Sequence, residues 1–311
     1  MRVAIFGGTG FVGSYLIDAL INKGHHPVVL VRPSHESRVM HKEDCTLISG
    51  DIEDEAAISS AIRGADAVIY NIGILREYPS KNITFQGLQS DAPCKVIRVA
   101  KEMNVSRFLL MSANGVTADG TPYQRTKHEA EECLKDSTLD WTIFQPSVIF
   151  GDPRGRMEFA TQLAQEMVIP PLPAPLFYTG LLPVGAGQFQ LSPVHVQDVA
   201  KAFVYALEHN STYGQVIELG GDQALTWKEI IQQIASVLGK KKLMLPAPAC
   251  AISAVARIMQ GFESFPVTSD QISMLMEGNT CSSTQLHEMG ITPASFNDET
   301  LAYLKPSASS Q

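Results

Sequence analysis

The sequence predicts an α/β fold, a doubly wound parallel sheet, and three observations carry that prediction. The chain opens with a short apolar run at residues 3–6, and Gly7, Gly8 and Gly10 follow at once. Apolar residues then recur at helical spacing over 11–23, so the opening reads strand, tight turn, helix. Short apolar runs keep alternating with helical stretches as far as Pro146. That order implies a parallel sheet with right-handed crossovers and ligands at the carboxyl ends of the strands, the Rossmann arrangement.

In chain order, residues 27–32 read as a second strand with Arg32 at its end, and 46–49 as a third. Residues 54–63 form a small helix capped by Asp51 or Asp54. The fourth strand, 67–72, runs into Asn71-Ile72-Gly73. A helix over 88–103 contains Pro93, which predicts a kink or a late start near Asp91. The fifth strand, 107–111, is followed by Ser112-Ala113-Asn114 and a loop with Gly115, Gly120 and Pro122. A charged helix then runs from Tyr123 to about Lys135, and a sixth strand, 141–145, closes with Pro146-Ser147.

Beyond Gly151 the composition changes. Residues 167–187 are proline-rich and loop-like, 192–208 an amphipathic helix with Asp198 in its first turn, and 215–219 a strand. From Thr226 onward the chain reads as mainly helical. The expected organisation is a dinucleotide-binding domain over 1–151 and about 185–220, a smaller, mainly helical substrate-side lid or subdomain over 152–184 and 221–305, and a disordered tail at 306–311.

At 311 residues the chain can bury a large core. Its apolar content of 45%, charged content of 18% and net charge of −8 are those of a soluble globular protein. That charge argues against nucleic acid or an anionic membrane held by general electrostatics, while leaving room for a local basic pocket. Cys45, Cys94, Cys133, Cys250 and Cys281 are an odd number with no C-x-x-C pair, which predicts reduced thiols in a cytosol-like compartment and no metal site. An N-terminus that is itself strand one leaves no room for a targeting peptide. Residues 243–259 are too short and too interrupted by Pro246, Pro248 and Arg257 to span a membrane. The expected location is cytoplasmic, with peripheral association at an inner membrane left open.

The glycines have mechanical reasons to be where they are. Gly7 allows the turn off the strand, Gly10 lets the backbone approach a pyrophosphate, and Gly13 lets the helix lie close to the sheet. Amides at the helix start, around Thr9, Phe11 and Val12, face the phosphates. The alternative is a glycine-rich turn without a ligand. Arg32 lies nineteen residues after Gly13, where this fold meets the adenosine ribose. An arginine there favours a 2′-phosphate, and so NADP(H) over NAD(H). Asp51 and Ile52 pass the adenine, and Asn71 and Gly73 close the next strand end. Tyr123 and Lys127, four apart on one helix, point the same way. A nearby ammonium lowers a phenol's pKa, so the pair can protonate a carbonyl as hydride arrives. A half-buried aromatic beside a surface lysine is the plain alternative.

G-G-T-G-F-V-G at 7–13, Asp51-Ile52, Y-Q-R-T-K at 123–127, P-S-V-I-F-G at 146–151 and V-H-V-Q-D-V-A at 194–200 resemble, in order and spacing, the short-chain dehydrogenase/reductase superfamily. The chain is most similar to its atypical branch of epimerase/dehydratase-like proteins, which contains the NAD(P)H-binding accessory subunit of respiratory complex I and its bacterial relatives. The resemblance implies that Gly7, Gly10 and Gly13 hold the pyrophosphate, Arg32 the 2′-phosphate, and Asp51 and Ile52 the adenine. It puts Tyr123 and Lys127 at the nicotinamide ribose and the reacting oxygen, Pro146 and Ser147 beside the nicotinamide, and gives His195 and Asp198 structural roles.

Two departures stand out. Ala113 occupies the position of the usual catalytic serine or threonine, which leaves Ser112, one residue early, as the candidate donor. Gln145 stands where sugar-nucleotide enzymes often carry arginine. The expected function is an NADP(H)-dependent oxidoreductase acting on an apolar carbonyl or quinone-like compound, with the apolar segments 167–182 and 243–259 as walls of a substrate pocket. The alternative is a non-catalytic NADPH-binding assembly protein with a respiratory-complex partner. A sugar-nucleotide epimerase or dehydratase is a weaker third, because Arg257 is the only arginine after Arg156.

Overall fold

Strands β1 (Arg2–Phe6), β2 (His26–Val31), β3 (Thr46–Ser49), β4 (Ala67–Tyr70), β5 (Arg107–Met111) and β6 (Asp140–Pro146) form one sheet. After four short strands elsewhere, β11 (Gln215–Leu219) completes it. The order in this computed structural model, which describes residues 1–250 and 269–305, is β3-β2-β1-β4-β5-β6-β11. Every pairing is parallel. The strand order reverses between β1 and β4, and the crevice beyond their carboxyl ends is where such sheets bind ligands.

Helices cover both faces of this sheet. Ala4, Phe6, Val68, Tyr70, Phe108 and Leu110 pack with residues of α2 (Glu55–Ile62), α3 (Ala92–Glu102) and α4 (Pro122–Lys135). The alternate residues point the other way, towards α1 (Phe11–Asn22) and α6 (Val196–Glu208), which pack together. Phe144 stacks on Phe203 of α6 with ring centroids 4.1 Å apart. Burying each such aromatic or aliphatic side chain contributes roughly 1.5–3 kcal/mol. Asp54, not Asp51, caps α2, its carboxylate accepting from the Ala56 amide at 2.9 Å. Pro93 neither starts nor ends the helix: a π-helical segment over Gln86–Asp91 runs directly into the α-helix from Ala92, and this wider turn precedes the proline, which lacks an N–H to bond back.

Two compact units result. The first comprises Met1–Pro146, Val196–Leu219 and Thr284–Thr292, and the second Ser147–His195, Gly220–Ser283 and Pro293–Gln311. In the second, β7 (Ile149–Phe150) pairs with β10 (Val194–His195), and β8 (Ala174–Tyr178) with β13 (Met244–Pro248). β9 (Gln190–Leu191) pairs with β12 (Leu225–Thr226). These pairings assign residues 185–195 to the second unit, although the sequence reading grouped them with the first. Its core gathers Phe150, Phe177, Leu191, Phe296 and Leu301 around Trp227, Ile230 and Ile234 of α7 (Trp227–Val237). The Trp227 indole donates to the Pro175 carbonyl at 2.9 Å.

Several expectations need correction. The loop predicted over 167–187 contains β8, whose partner β13 is too distant in sequence for local periodicity to reveal. The helix predicted from 192 starts at Val196, because Val194 and His195 pair with β7. The region after Thr226 includes β13 and extended chain as well as helices at Trp227–Val237, Ser269–Glu277 and Thr284–Glu288. Cys94 of α3 and Cys133 of α4 face each other with Cα atoms 5.9 Å apart, within reach of a disulfide, a proximity that the spacing of the cysteines did not suggest; Cys45, Cys250 and Cys281 have no cysteine partner among the described residues. Among the described residues no helix is long and apolar enough to cross a membrane. The tail at 306–311 and residues 251–268 lie outside the described residues.

Candidate functional site

The turn between β1 and α1 is built around backbone contacts that only glycine permits. Gly7 has a φ of 102°, and a β-carbon there would stand 2.8 Å from the Asn71 carbonyl carbon. At Gly13 a β-carbon would overlap the Gly7 carbonyl oxygen and come within 2.7 Å of Gly8 Cα. Gly10 is different. A β-carbon there would meet only the Gly7 oxygen, at 3.4 Å, so folding alone does not demand a glycine. No side chain caps α1, and no acidic residue sits in its first turn. The start of a twelve-residue helix, next to a glycine that is small for no internal reason, fits a pyrophosphate.

The adenosine side is set by β2 and β3. Leu30 pairs with Phe6 and Val31 with Ser49, so Arg32 leaves the sheet level with the glycine turn. It is exposed and forms no ion pair among the described residues. Asp51 accepts from the Glu53 amide at 3.1 Å, which fixes the loop. The Ile52 side chain is 7% exposed and packs in the core with Leu30 and Ala57, so it offers little surface to an adenine.

The reacting end is organised by α4, whose Thr121–Gln124 capping box sets its start. Residues 123, 127, 131 and 135 follow one another at four-residue spacing and share a face. Lys127 is 3% exposed. Its ammonium donates to the Met111 carbonyl at 2.9 Å and to that of Ile72 at 3.5 Å, tying the ends of β5 and β4 together. Gly73 passes beside it: a β-carbon there would lie 3.5 Å from Lys127 Nζ. Burial pushes the Lys127 pKa down to about 8, opposed by the Glu131 charge. Tyr123 packs edge-on against Phe85, ring centroids 5.8 Å apart, and its hydroxyl has no hydrogen-bond partner among the described residues. Burial pushes its pKa up to about 12. Burial of the phenol thus outweighs the lowering expected from Lys127.

Ser112 is also not what the sequence suggested. It is 3% exposed, and its hydroxyl donates to Glu131 Oε1 at 2.5 Å, so it is committed to the protein. The Gln145 amide donates to the same oxygen at 2.8 Å, and Lys135 reaches Oε2 at 3.4 Å. Glu131, itself 2% exposed, is thus the hub joining β5, α4 and β6. Sequence reasoning missed it, although its place four residues after Lys127 was the available signal. It also explains Gln145, whose amide supplies a donor to this buried carboxylate. Asn71 donates its amide to Phe6 at 2.8 Å, and the Pro146 carbonyl accepts from Asn114 at 2.9 Å. Thr9, Phe11 and Val12 are partly exposed at the helix start. Ser147 belongs to the second unit, where its hydroxyl donates to the Asn279 carbonyl at 2.7 Å. A part beside the nicotinamide would have to come from its backbone.

A family model described as NAD(P)H-binding matches residues 7–168, more than half of the chain. The chain belongs to that family. Its fold is that of the atypical short-chain dehydrogenase/reductases and epimerases. Subunit 9 of the NADH dehydrogenase [ubiquinone] 1 alpha subcomplex, mitochondrial, of Arabidopsis thaliana is 29% identical over 91% of this chain and 70% of its own length. Ceramide reductase of Caulobacter vibrioides is 24% identical over 86% of this chain and 80% of its own. The Thermus thermophilus UDP-glucose 4-epimerase, solved with NAD, superposes with a TM-score of 0.72 over 98% of this chain and 97% of its own, at 18% identity. That last likeness speaks to the fold alone.

Proposed function

We propose that this NAD(P)H-binding protein is an NADP(H)-dependent oxidoreductase reducing an apolar carbonyl or quinone-like compound. The observation that carries the reading is Tyr123: a phenol without a hydrogen-bond partner among the described residues, one helical turn from a buried lysine at the ends of β4 and β5. The bound nicotinamide supplies the hydride. The chain's own residues do the rest. Backbone around Gly10 and the start of α1 hold the pyrophosphate, Arg32 pairs with the 2′-phosphate, and Asn71 and Gly73 line the way to the nicotinamide. Lys127 orients the ribose and places a positive charge near Tyr123, which favours the phenolate once the phenol has given its proton to the developing alkoxide. The ceramide reductase relative supports a lipid-like substrate.

A second reading has a specific observation behind it. With Ala113 apolar and Ser112 bound to Glu131, no side-chain hydroxyl at that strand end is left to polarise a carbonyl. A protein that holds its dinucleotide as a structural ligand within a larger assembly, as the resemblance to a respiratory-complex subunit suggests, does not need one. Two measurements decide. NADPH should bind more tightly than NADH, and Arg32→Asp should remove most of that difference, a loss of about 1.5–3 kcal/mol for charge-assisted bonds. Tyr123→Phe should abolish NADPH oxidation with aldehydes and quinones while cofactor affinity stays within a few fold. Background turnover in the parent would leave only the binding role, and equal affinity for both cofactors would remove the NADP(H) assignment.

A further inference from the structure

The second unit carries a cluster of exposed apolar side chains that its own core does not use. Leu172 is 73% exposed, Leu243 64%, Ile169 51% and Leu245 50%. They lie close together in the fold. The Ala174 amide donates to the Leu243 carbonyl at 2.9 Å, which brings Leu172 to the start of β13. The Lys242 ammonium donates to the carbonyls of Pro170 at 2.5 Å and Val168 at 3.3 Å, which brings Ile169 to the same place. Ala174 and Phe177 of β8 are buried, whereas Leu245 on the partner strand β13 is half exposed.

Positive charge adjoins this apolar surface. Lys240 and Lys241 are exposed immediately before Leu243. With Lys242, Met244, Gln232 and Ser236 they line a hollow of about 360 Å³, large enough for a phosphate-bearing headgroup. The two described segments that form the face contain no acid: neither residues 167–197 nor residues 230–250 hold an aspartate or glutamate, in a chain of net charge −8. Such segregation opposes the overall charge of the protein.

We propose that this face docks on an anionic phospholipid bilayer, with the leucines and Ile169 entering the acyl boundary and Lys240 and Lys241 pairing with lipid phosphates. Exposed leucines next to lysines are the two elements that interfacial binding combines. A polynucleotide would use the lysines and leave the leucines in water, and an apolar protein partner would have no use for the lysines. The surface gives a place to the peripheral membrane association that the sequence left open. It is independent of the cofactor reading, since none of its residues belongs to the dinucleotide site.

Flotation of the full chain with vesicles of phosphatidylcholine alone, and of phosphatidylcholine with phosphatidylglycerol, tests it. The protein should float with the anionic vesicles, and added salt should release it. Lys240→Glu with Lys241→Glu should weaken that partition by about fivefold or more per lysine. Leu243→Ser with Leu245→Ser should weaken it even at low salt. All these positions are exposed, and NADPH binding by the same samples reports whether the fold survives. Failure to float, or equal binding to neutral vesicles, overturns the proposal while leaving the cofactor assignment untouched. Retention on a polynucleotide that the leucine changes do not affect would identify a polyanion site and overturn it too.

Discussion

The two helix-side glycines provide a clean separation of folding from binding. At Gly13 an added methyl meets the backbone of Gly7 and Gly8, atoms that cannot rotate away. Gly13→Ala should therefore cost at the upper end of the roughly 1–3 kcal/mol typical of overpacking, read as a lower denaturation midpoint with or without cofactor. At Gly10 the nearest atom to a new β-carbon is 3.4 Å away, an ordinary contact, and φ −78° with ψ 177° suits alanine. Two small effects then oppose each other. Lost unfolded-state freedom stabilises alanine by about 0.4–1 kcal/mol, and the poorer helix cap removes a similar amount. Gly10→Ala should unfold within about 1 kcal/mol of the parent. Its methyl, however, stands where the pyrophosphate approaches the backbone, so NADPH affinity should fall at least tenfold, or about 1.4 kcal/mol. Urea titration and NADPH fluorescence titration on both variants read the two quantities separately. A Gly10→Ala protein that binds NADPH like the parent would refute the placement of the phosphates.

Lys127 makes stability pH-dependent. Its pKa is about 8 when folded against 10.5 for an ordinary lysine, so between those values the unfolded chain binds more protons and stability rises with pH. The buried charge is a cost below pH 8, relieved by at most about 3 kcal/mol as pH climbs towards 10. Lys127→Met should abolish that rise, and identical slopes for parent and variant between pH 8 and 9.5 in urea unfolding would sink the assignment. At the hub, Glu131→Ala leaves the Ser112 hydroxyl and the Gln145 amide without their buried acceptor, a loss of about 1–3 kcal/mol for each group left unpaired. Glu131→Gln, which keeps an acceptor oxygen, should recover part of that loss, and an unchanged denaturation midpoint in the alanine variant would show that Glu131 is not a hub.

Much of the first unit could be read along the chain because its signals are local. A buried parallel strand is a continuous apolar run and an amphipathic helix repeats within a few residues. β1 to β6, α1, α2, α4 and β11 accordingly formed within a residue or two of expectation. Gly7 and Gly13 were legible for the same reason, since each answers to atoms close by in sequence or one strand away. Arg32 followed from counting, because β2 and its loop have nearly fixed lengths in this fold.

Tertiary structure decided whatever depended on distant partners. β8 exists because β13 lies beside it, and Cys94 meets Cys133 because α3 and α4 are neighbours. The role of Ser112 was settled by a carboxylate nineteen residues later, and the protonation preferences of Tyr123 and Lys127 by burial that no spacing rule contains. The sequence placed the phenol and the ammonium on one face of a helix. Only the folded chain determined that the ammonium turns to two strand-end carbonyls, because an ion taken out of water goes to the nearest acceptors that can replace its hydration.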